Sequence, residues 1–366
     1  MAIDAGLTPP AITQICKVLL HHGLVHELPA RKGQRGQPSR PLAVDPAGGF
    51  AGGVNFSHSY MEVGVMDLSG RLLGVRKTAL GEPRPQTIAD TAVAGVRDLV
   101  RRHRVPADRM LGLGFAVPGD FREGGRRLLA HPAFPHLNDQ DLGEIFQSAS
   151  PWPVFVENDG RTSAIGERII GIGRGLSAFM LIHIGHGVGG GLIIDGRPFR
   201  GARGNAGPIG LFFPYGLPRP SGEDLLAHLR AAGLAADDFD ALDALDLESS
   251  GALDVWLGRA GEQLGRVLPL LGRFIDPEAI VIAGRLPPVL LDRLAEVISQ
   301  VDVIPPGDPL PGPAVVASRL GSLAGVVGAA SLPIYERLIR GASGEPKSRI
   351  PAETRGSAVD VVDVAR

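Results

Sequence analysis

Residues 183–210 read HIGHGVGGGLIIDGRPFRGARGNAGPIG. An apolar run, AFMLIHI (178–184), enters glycines at Gly185, Gly187, Gly189, Gly190 and Gly191, and a second run, GGLIIDG (190–196), leaves through a turn. Glycine has no Cβ, so a segment of this composition lets backbone N–H groups approach a phosphate that side chains would hold off. Tight turns explain many glycine runs, and the weight of this one comes from its position between two strand-like segments.

The same punctuation continues on either side. GGVNF (52–56), YMEVGVMDL (60–68), RLLGVRKTAL (71–80), MLGLGFAVP (110–118), VFVEN (154–158), AIVIAG (279–284) and AVVAS (314–318) read as strands. Asp67, Ser69 and Gly70 mark a hairpin turn between the second and third of these. Ile88, Ala92, Val93, Val96, Leu99 and Val100 form a stripe on one helix face, and similar stripes run through 222–233, 251–275, 287–300 and 321–339. Short strands alternating with helices predict an α/β chain of two lobes.

With 366 residues the chain exceeds what one core usually supports. Hydrophobic residues make up 44% and charged residues 21%, which excludes a disordered chain. The 37 basic and 39 acidic side chains nearly cancel, so any nucleic-acid contact must be local. The lone cysteine, Cys16, excludes an internal disulfide and a site of several thiolates. No run reaches the length of a membrane span, and Met1–Leu20 lacks the pattern of a secretory leader, so the expected location is cytoplasmic, without a membrane partner.

Residues 1–46 have a separate character. Thr8 is placed to cap a helix that tolerates Pro9 and Pro10 in its first turn, with Ile12, Ile15, Cys16, Leu19 and Leu20 as its buried face. Thr13, Gln14 and Lys17 lie on the other face. Gly23 ends the helix, and GLVHELPA and SRPLAVD read as a hairpin whose loop carries Arg31, Lys32, Arg35 and Arg40. A polar helix face followed by a basic wing divides base and phosphate contacts as winged helix-turn-helix readers do, although a solvated basic loop has the same composition.

Taken together, LTPPAITQICKVLLHHGLV, the glycine segment 183–210, VFVENDGRTSAIGE and FIDPEAIVIAG resemble the ROK family of repressors, unassigned reading frames and sugar kinases. The body from about 50 to 335 carries the resemblance, which implies a two-lobed, actin-like ATPase (sugar kinase) fold. By that resemblance residues 1–46 would be a partial winged helix-turn-helix segment: the family has a further helix where only six or seven residues precede Thr8, so either the start is late or the module is truncated. Residues 47–155 would form lobe I, joined by the returning helix 321–340; residues 156–320 lobe II; and 341–366 a mobile tail.

The resemblance also assigns roles. Asn158 would hold a sugar hydroxyl, and Asp159 would deprotonate the hydroxyl that is phosphorylated, because a carboxylate can accept that proton as the oxygen attacks phosphorus. The same pair suits the opening of a helix, where amide and acidic side chains satisfy free backbone donors. His131 and Asn138 fall in a stretch that borders the family's sugar pocket, and both residue types also serve as ordinary loop hydrogen bonders.

Departures from the family pattern point away from kinase chemistry. Asn55 stands where these kinases carry an aspartate, and Ser57 and His58 stand at paired glycines. Ala283 and Arg285 flank Gly284 where more glycine is expected, and His186 replaces a threonine. Pro208 and Leu211 occupy the positions of a sugar-binding glutamate and a metal-binding histidine, and no cysteine triplet follows, so no zinc is expected and ATP with magnesium should fit badly. Phe212, Phe213 and Tyr215 are expected to pack in the metal's place, the alternative being an aromatic platform for a ring.

The expectation is a transcriptional regulator of carbohydrate metabolism, a repressor that binds operator DNA and a small carbohydrate-like effector as a homodimer or homotetramer, without metal or cofactor. The alternatives are an ATP-dependent sugar kinase and a non-catalytic pseudo-kinase acting through protein contacts.

Overall fold

Two consecutive prolines start the first helix, α1 (Pro9–His21), and a glycine at φ +67°, Gly23, stops it. In this computed structural model residues 7–29, 40–57, 60–122, 125–245, 250–301 and 312–340 are described. Thr8 precedes the helix in an extended conformation, but its side chain makes no capping bond. Prolines in the first two positions have already removed donors that a cap would satisfy. β1 (Val25–Glu27) pairs antiparallel with β2 (Leu42–Val44), as the hairpin reading requires. The expected buried face of α1 is a correction: no residue of the helix is buried, Ile15 is exposed, and Ile12, Cys16, Leu19 and Leu20 are only half-covered. Among the described residues α1 packs on the short hairpin and has no second layer to close over it.

β3 (Phe50–Phe56), β4 (Tyr60–Asp67) and β5 (Leu72–Ala79) form an antiparallel meander. Asp67 Oδ1 fixes its second turn by accepting from Ser69 N at 2.9 Å, Ser69 Oγ at 2.6 Å and Arg71 N at 3.2 Å. α2 (Pro85–Arg102) then crosses to β6 (Met110–Val117), parallel to β3. A small hairpin, β7 (Gly119–Phe121) and β8 (Leu128–Ala130), and α3 (Leu142–Ala149) lead to β9 (Val154–Asn158) at the edge. The sheet order is β5-β4-β3-β6-β9. Val54, Val63, Val96, Leu113 and Phe115 pack between this sheet and its helices, with Phe115 stacked on Phe146 at 4.3 Å.

After α4 (Asp159–Ile169) the pattern repeats. β10 (Phe179–Ile184), β11 (Val188–Ile194) and β12 (Arg197–Pro198) make a second antiparallel meander. α5 (Gly222–Ala231) and α6 (Gly251–Ile275) precede β13 (Ala279–Gly284), and α7 (Pro288–Gln300) precedes β14 (Ala314–Ala317). The order β12-β11-β10-β13-β14 copies that of the first sheet, so two lobes share one topology that no sequence repeat announces. Ile182, Ile280, Trp256, Leu264 and Leu294 form the core beside the second sheet.

α8 (Ala324–Ile334) returns to pack on β3, β6 and α4 and ends in a single wide turn, 335–339. It is apolar all round, as a helix covered on every side must be. No helix among the described residues is long and apolar enough to cross a membrane. Residues 341–366, read from sequence as a tail, lie outside the described residues.

Candidate functional site

The tips of β3, β6, β9, β10 and β13 converge on a cleft between the lobes that encloses about 340 Å³. Asn158 ends β9 and caps α4, its Oδ1 accepting from Arg161 N at 3.1 Å. Its Nδ2 donates to Gly119 O at 2.8 Å and to Asp159 Oδ1 at 3.1 Å. The Asn158 amide therefore spends both N–H groups within the protein and acts chiefly to hold its neighbour. Asp159 Oδ1 also accepts from Gly160 N at 2.8 Å, and no described residue donates to Oδ2. A carboxylate pinned by one oxygen and open at the other can accept a ligand hydroxyl.

Gly189 lies beside Asp159, and Gly187 beside His131, whose Nε2 is 3.1 Å from where a Cβ on Gly187 would stand. His131 Nδ1 accepts from Ala133 N at 3.3 Å. His183, fully enclosed on β10, contacts Ser163 Oγ through Nδ1 at 3.0 Å. Burial lowers its pKa, although the Asp159 charge opposes this, and keeps the imidazole neutral. Asp120, also in the lining, has its pKa raised by burial, against the pull of Arg161.

One end of the cleft is crossed by a side chain. Gly284, at φ +136°, turns the chain at the end of β13, and Arg285 reaches back to the other lobe. Its Nη2 donates to Asn55 Oδ1 at 3.0 Å and to Phe56 O at 2.6 Å, and its Nη1 to Tyr60 Oη at 3.3 Å. Beside it Lys77 of the first lobe pairs with Asp240 of the second. A magnesium-bound triphosphate needs a carboxylate or water-lined passage here. An amide and a guanidinium supply neither, and the carboxylate beside them, Glu62 opposite Asn55 on β4, is already engaged by Asn55, Arg285 and Lys77, so these residues as placed do not fit that group. Among the described residues no cluster of three His, Cys, Asp or Glu side chains is arranged to hold a metal ion.

Where β9, α4 and the 335–339 turn meet, Glu157 accepts from Arg161 Nε at 2.8 Å and from Arg200 Nε at 2.9 Å, and Arg200 also donates to Glu336 at 2.8 Å. Burial works against the Glu157 charge, yet the two guanidiniums outweigh it and hold the carboxyl below its ordinary range.

A family model described as "ROK family" matches residues 51–214. The protein y4fQ of Sinorhizobium fredii is 40% identical over 343 residues, spanning 93% of this chain and 88% of its own. The chain belongs to the ROK family. The xylose repressor of Bacillus spizizenii is 24% identical over 313 residues, 81% of each chain. Among solved structures, a ROK family glucokinase from Streptomyces griseus in complex with glucose and AMPPNP superposes with a TM-score of 0.65 at 24% identity, covering 78% of this chain and 99% of its own. A ROK family transcriptional regulator, a homologue of the Escherichia coli MLC protein, superposes at 0.68 with 21% identity, covering 91% and 90%. These two establish the two-lobed, actin-like sugar-kinase fold.

Of the residues singled out from sequence, the cleft gathers Asn158, Asp159, His131, Gly187, Gly189 and Gly190. Asn138 is turned away and accepts from Ala130 N at 3.3 Å, and Gly185 and Gly191 line no part of the cavity. Gly191 instead admits α4, with Gly160 O 2.8 Å from its would-be Cβ. The expected aromatic plug holds for Phe213 alone; Phe212 and Tyr215 are exposed, Tyr215 because it stacks on Arg219 rather than in the core. Thr13, Gln14 and Lys17 are exposed on α1, with Thr13 Oγ1 donating to Pro9 O at 2.9 Å. Arg40 pairs with Glu27 at 2.9 Å, while Arg31, Lys32, Arg35 and His58 lie outside the described residues. Sequence reading passed over Arg219, His183 and Asp120. It met Arg285 only as a side chain where glycine is expected, and that mismatch was the available signal.

Proposed function

We propose that this ROK protein is a transcriptional regulator of carbohydrate metabolism, a repressor whose interlobe cleft senses a small carbohydrate-like effector. The observation that carries the reading is Arg285 bound to Asn55 Oδ1 and Phe56 O across the phosphate path, beside an Asp159 still open to the cavity. A cleft so arranged can close on a ligand but has no place for magnesium triphosphate. Residues 1–46 would be the DNA-binding segment, with Thr13, Gln14 and Lys17 on an exposed helix face and Arg31, Lys32, Arg35 and Arg40 on the wing. Residues 47–155 with 321–340 would form lobe I and 156–320 lobe II. The greater coverage of this chain by the regulator structure than by the glucokinase, 91% against 78%, supports that division.

One contact supports a link from cleft to helix. Arg109, just before β6, donates to His22 O at the end of α1 at 2.8 Å and to Gly48 O at 3.3 Å. A ligand that favours one lobe arrangement would shift β6, and through Arg109 the angle of α1; only differential affinity for the two arrangements can change DNA binding. Two copies in a symmetric dimer or tetramer would set two such helices against two half-sites.

Retardation of operator-bearing DNA from the flanking region at physiological salt, with and without a panel of pentoses, hexoses and their derivatives, tests the reading. Absence of any DNA-specific shift overturns it in favour of a protein-contact role. The kinase reading is favoured by the pinned Asp159, and brisk turnover of ATP with any hexose would replace the regulator reading with it.

A further inference from the structure

Arg219 is 8% exposed and lines both the effector cavity and an adjoining pocket of about 510 Å³. Its Nη2 donates to Gly210 O at 3.0 Å, and its guanidinium lies 4.1 Å from the centre of the Tyr215 ring. Its buried Nε has no acceptor. No described carboxylate pairs with it: Asp224, which borders the adjoining pocket, is taken by Arg259 and by Trp256 Nε1, and Glu223 makes no ion pair with it. A guanidinium enclosed to this degree is normally matched by a carboxylate or fully hydrogen-bonded, because an unmatched buried charge is costly. Here one edge of the charge faces a cavity instead.

The two ends of the cavity differ in kind. One presents the open oxygen of Asp159, an acceptor for hydroxyls; the other presents Arg219 with His131 and Tyr215, the two rings 5.9 Å apart. Cavity volume and lining fall in the range of small-ligand sites, roughly 300–1,000 Å³ with a few convergent polar groups. A guanidinium with unused donors recognises carboxylate or phosphate oxygens through its planar fork.

We infer that the cleft binds a polyhydroxylated ligand bearing one acidic group, and that Arg219 is the residue that receives that group. The inference rests on the reading of the cleft as a ligand site and adds the chemical class of the ligand. A hydroxyl of the ligand meets Asp159 Oδ2, and its anionic oxygens meet the edge of the Arg219 guanidinium that lines the cavity. An acidic group placed against Asp159 would instead be repelled, so the charge fixes the direction of binding.

The test uses the full chain and matched pairs of probes followed by calorimetry: gluconate against glucitol, glucuronate against glucose, and glucose 6-phosphate against glucose. At least one acid should bind about tenfold or more tighter than its neutral partner, the cost of leaving a charged donor unmatched. The first two pairs report a carboxylate and the third a phosphate. Arg219→Gln should erase the difference, and Arg219→Lys should keep part of it. Melting of each ligand-free variant reports whether the fold is intact, while the wild-type comparison depends on no variant. Equal binding within every pair, binding of none of the acids, or an unchanged preference in Arg219→Gln overturns the inference. DNA retardation on the same samples separates the two readings. A neutral sugar that alone weakens DNA binding removes the acidic ligand and keeps the regulator; an acid that binds tightly without affecting DNA keeps the site and removes the regulator.

Discussion

Arg285 and Asn55 lie 230 residues apart in sequence and meet at 3.0 Å, guanidinium to amide oxygen, across the cleft that divides the lobes. With Phe56 O as a second acceptor, the contact ties the end of β13 to the β3–β4 turn. The two residues singled out as departures from the family pattern are thus partners, and their contact bridges the two lobes.

Arg285→Ala should therefore loosen lobe closure without restoring phosphoryl transfer, because Asn55 still lacks the charge that holds magnesium. The loss of a partly buried charged hydrogen bond should lower stability by about 1–3 kcal/mol. Urea denaturation and a coupled ATP assay read the two effects; measurable turnover in the variant would show that the arginine alone had blocked chemistry.

Glu157→Gln keeps the shape of the carboxylate and removes its charge, leaving, among the described residues, Arg161 with only its longer contact to Asp120 at 3.5 Å and Arg200 with only Glu336. With those partners remaining, the expected cost is about 1.5–3 kcal/mol, the loss of charged hydrogen bonds. The pKa of this group is lowered in the folded protein from its ordinary 4.5. Its contribution is therefore present above the unfolded value and is lost as pH falls through the lower, folded one. Wild-type stability should hold steady above about pH 5 and decline in the acid range below 4.5, with a shallower decline in the variant, followed by denaturation midpoints across pH.

Asp159→Asn should leave stability within about 0.5 kcal/mol, since an amide oxygen can still accept from Gly160 N and the site is otherwise unchanged. Ligand affinity should fall about ten- to hundredfold with the loss of a charged acceptor, while DNA affinity without ligand is unaltered. Titration of ligand and of DNA against the same preparation checks both.

Lys17→Ala should weaken DNA binding evenly across sequences and flatten the slope of log affinity against log salt by about one, the effect of one phosphate contact. Band-shift titrations at several salt concentrations measure it; an unchanged slope would take Lys17 off the DNA.

Gly160→Ala sets a Cβ 2.7 Å from both N and O of Gly190, where α4 touches β11. Backbone cannot give way there, and a loss of about 1–3 kcal/mol is expected from overpacking, read by thermal melting against the wild type.

Regular elements were legible because their signal is local. The nine strand-like runs from GGVNF to AVVAS coincide with β3, β4, β5, β6, β9, β10, β11, β13 and β14, and the stripe at 251–275 matches α6 to the residue. Asp159 and His131 were legible for another reason: motif and glycine spacing are written along the chain. The short pieces were not. β7, β8, β12 and α3 are too brief to establish a period, and α1 shows that an apolar stripe alone does not bury a helix when the described residues offer no layer to cover it.

The sequence by itself determined the α/β lobes, the glycine-rich segment 185–191 and the amide at position 55, since each is carried by composition or spacing along a continuous stretch. Only the tertiary structure decided that Arg285 fills the resulting gap, that Arg219 faces the cavity without a counterion, and that the Asn158 amide is spent on Gly119 and Asp159. Those facts depend on which side chains distant in the chain end within hydrogen-bonding reach, and that is set by how two sheets pack about α8, which no local period encodes.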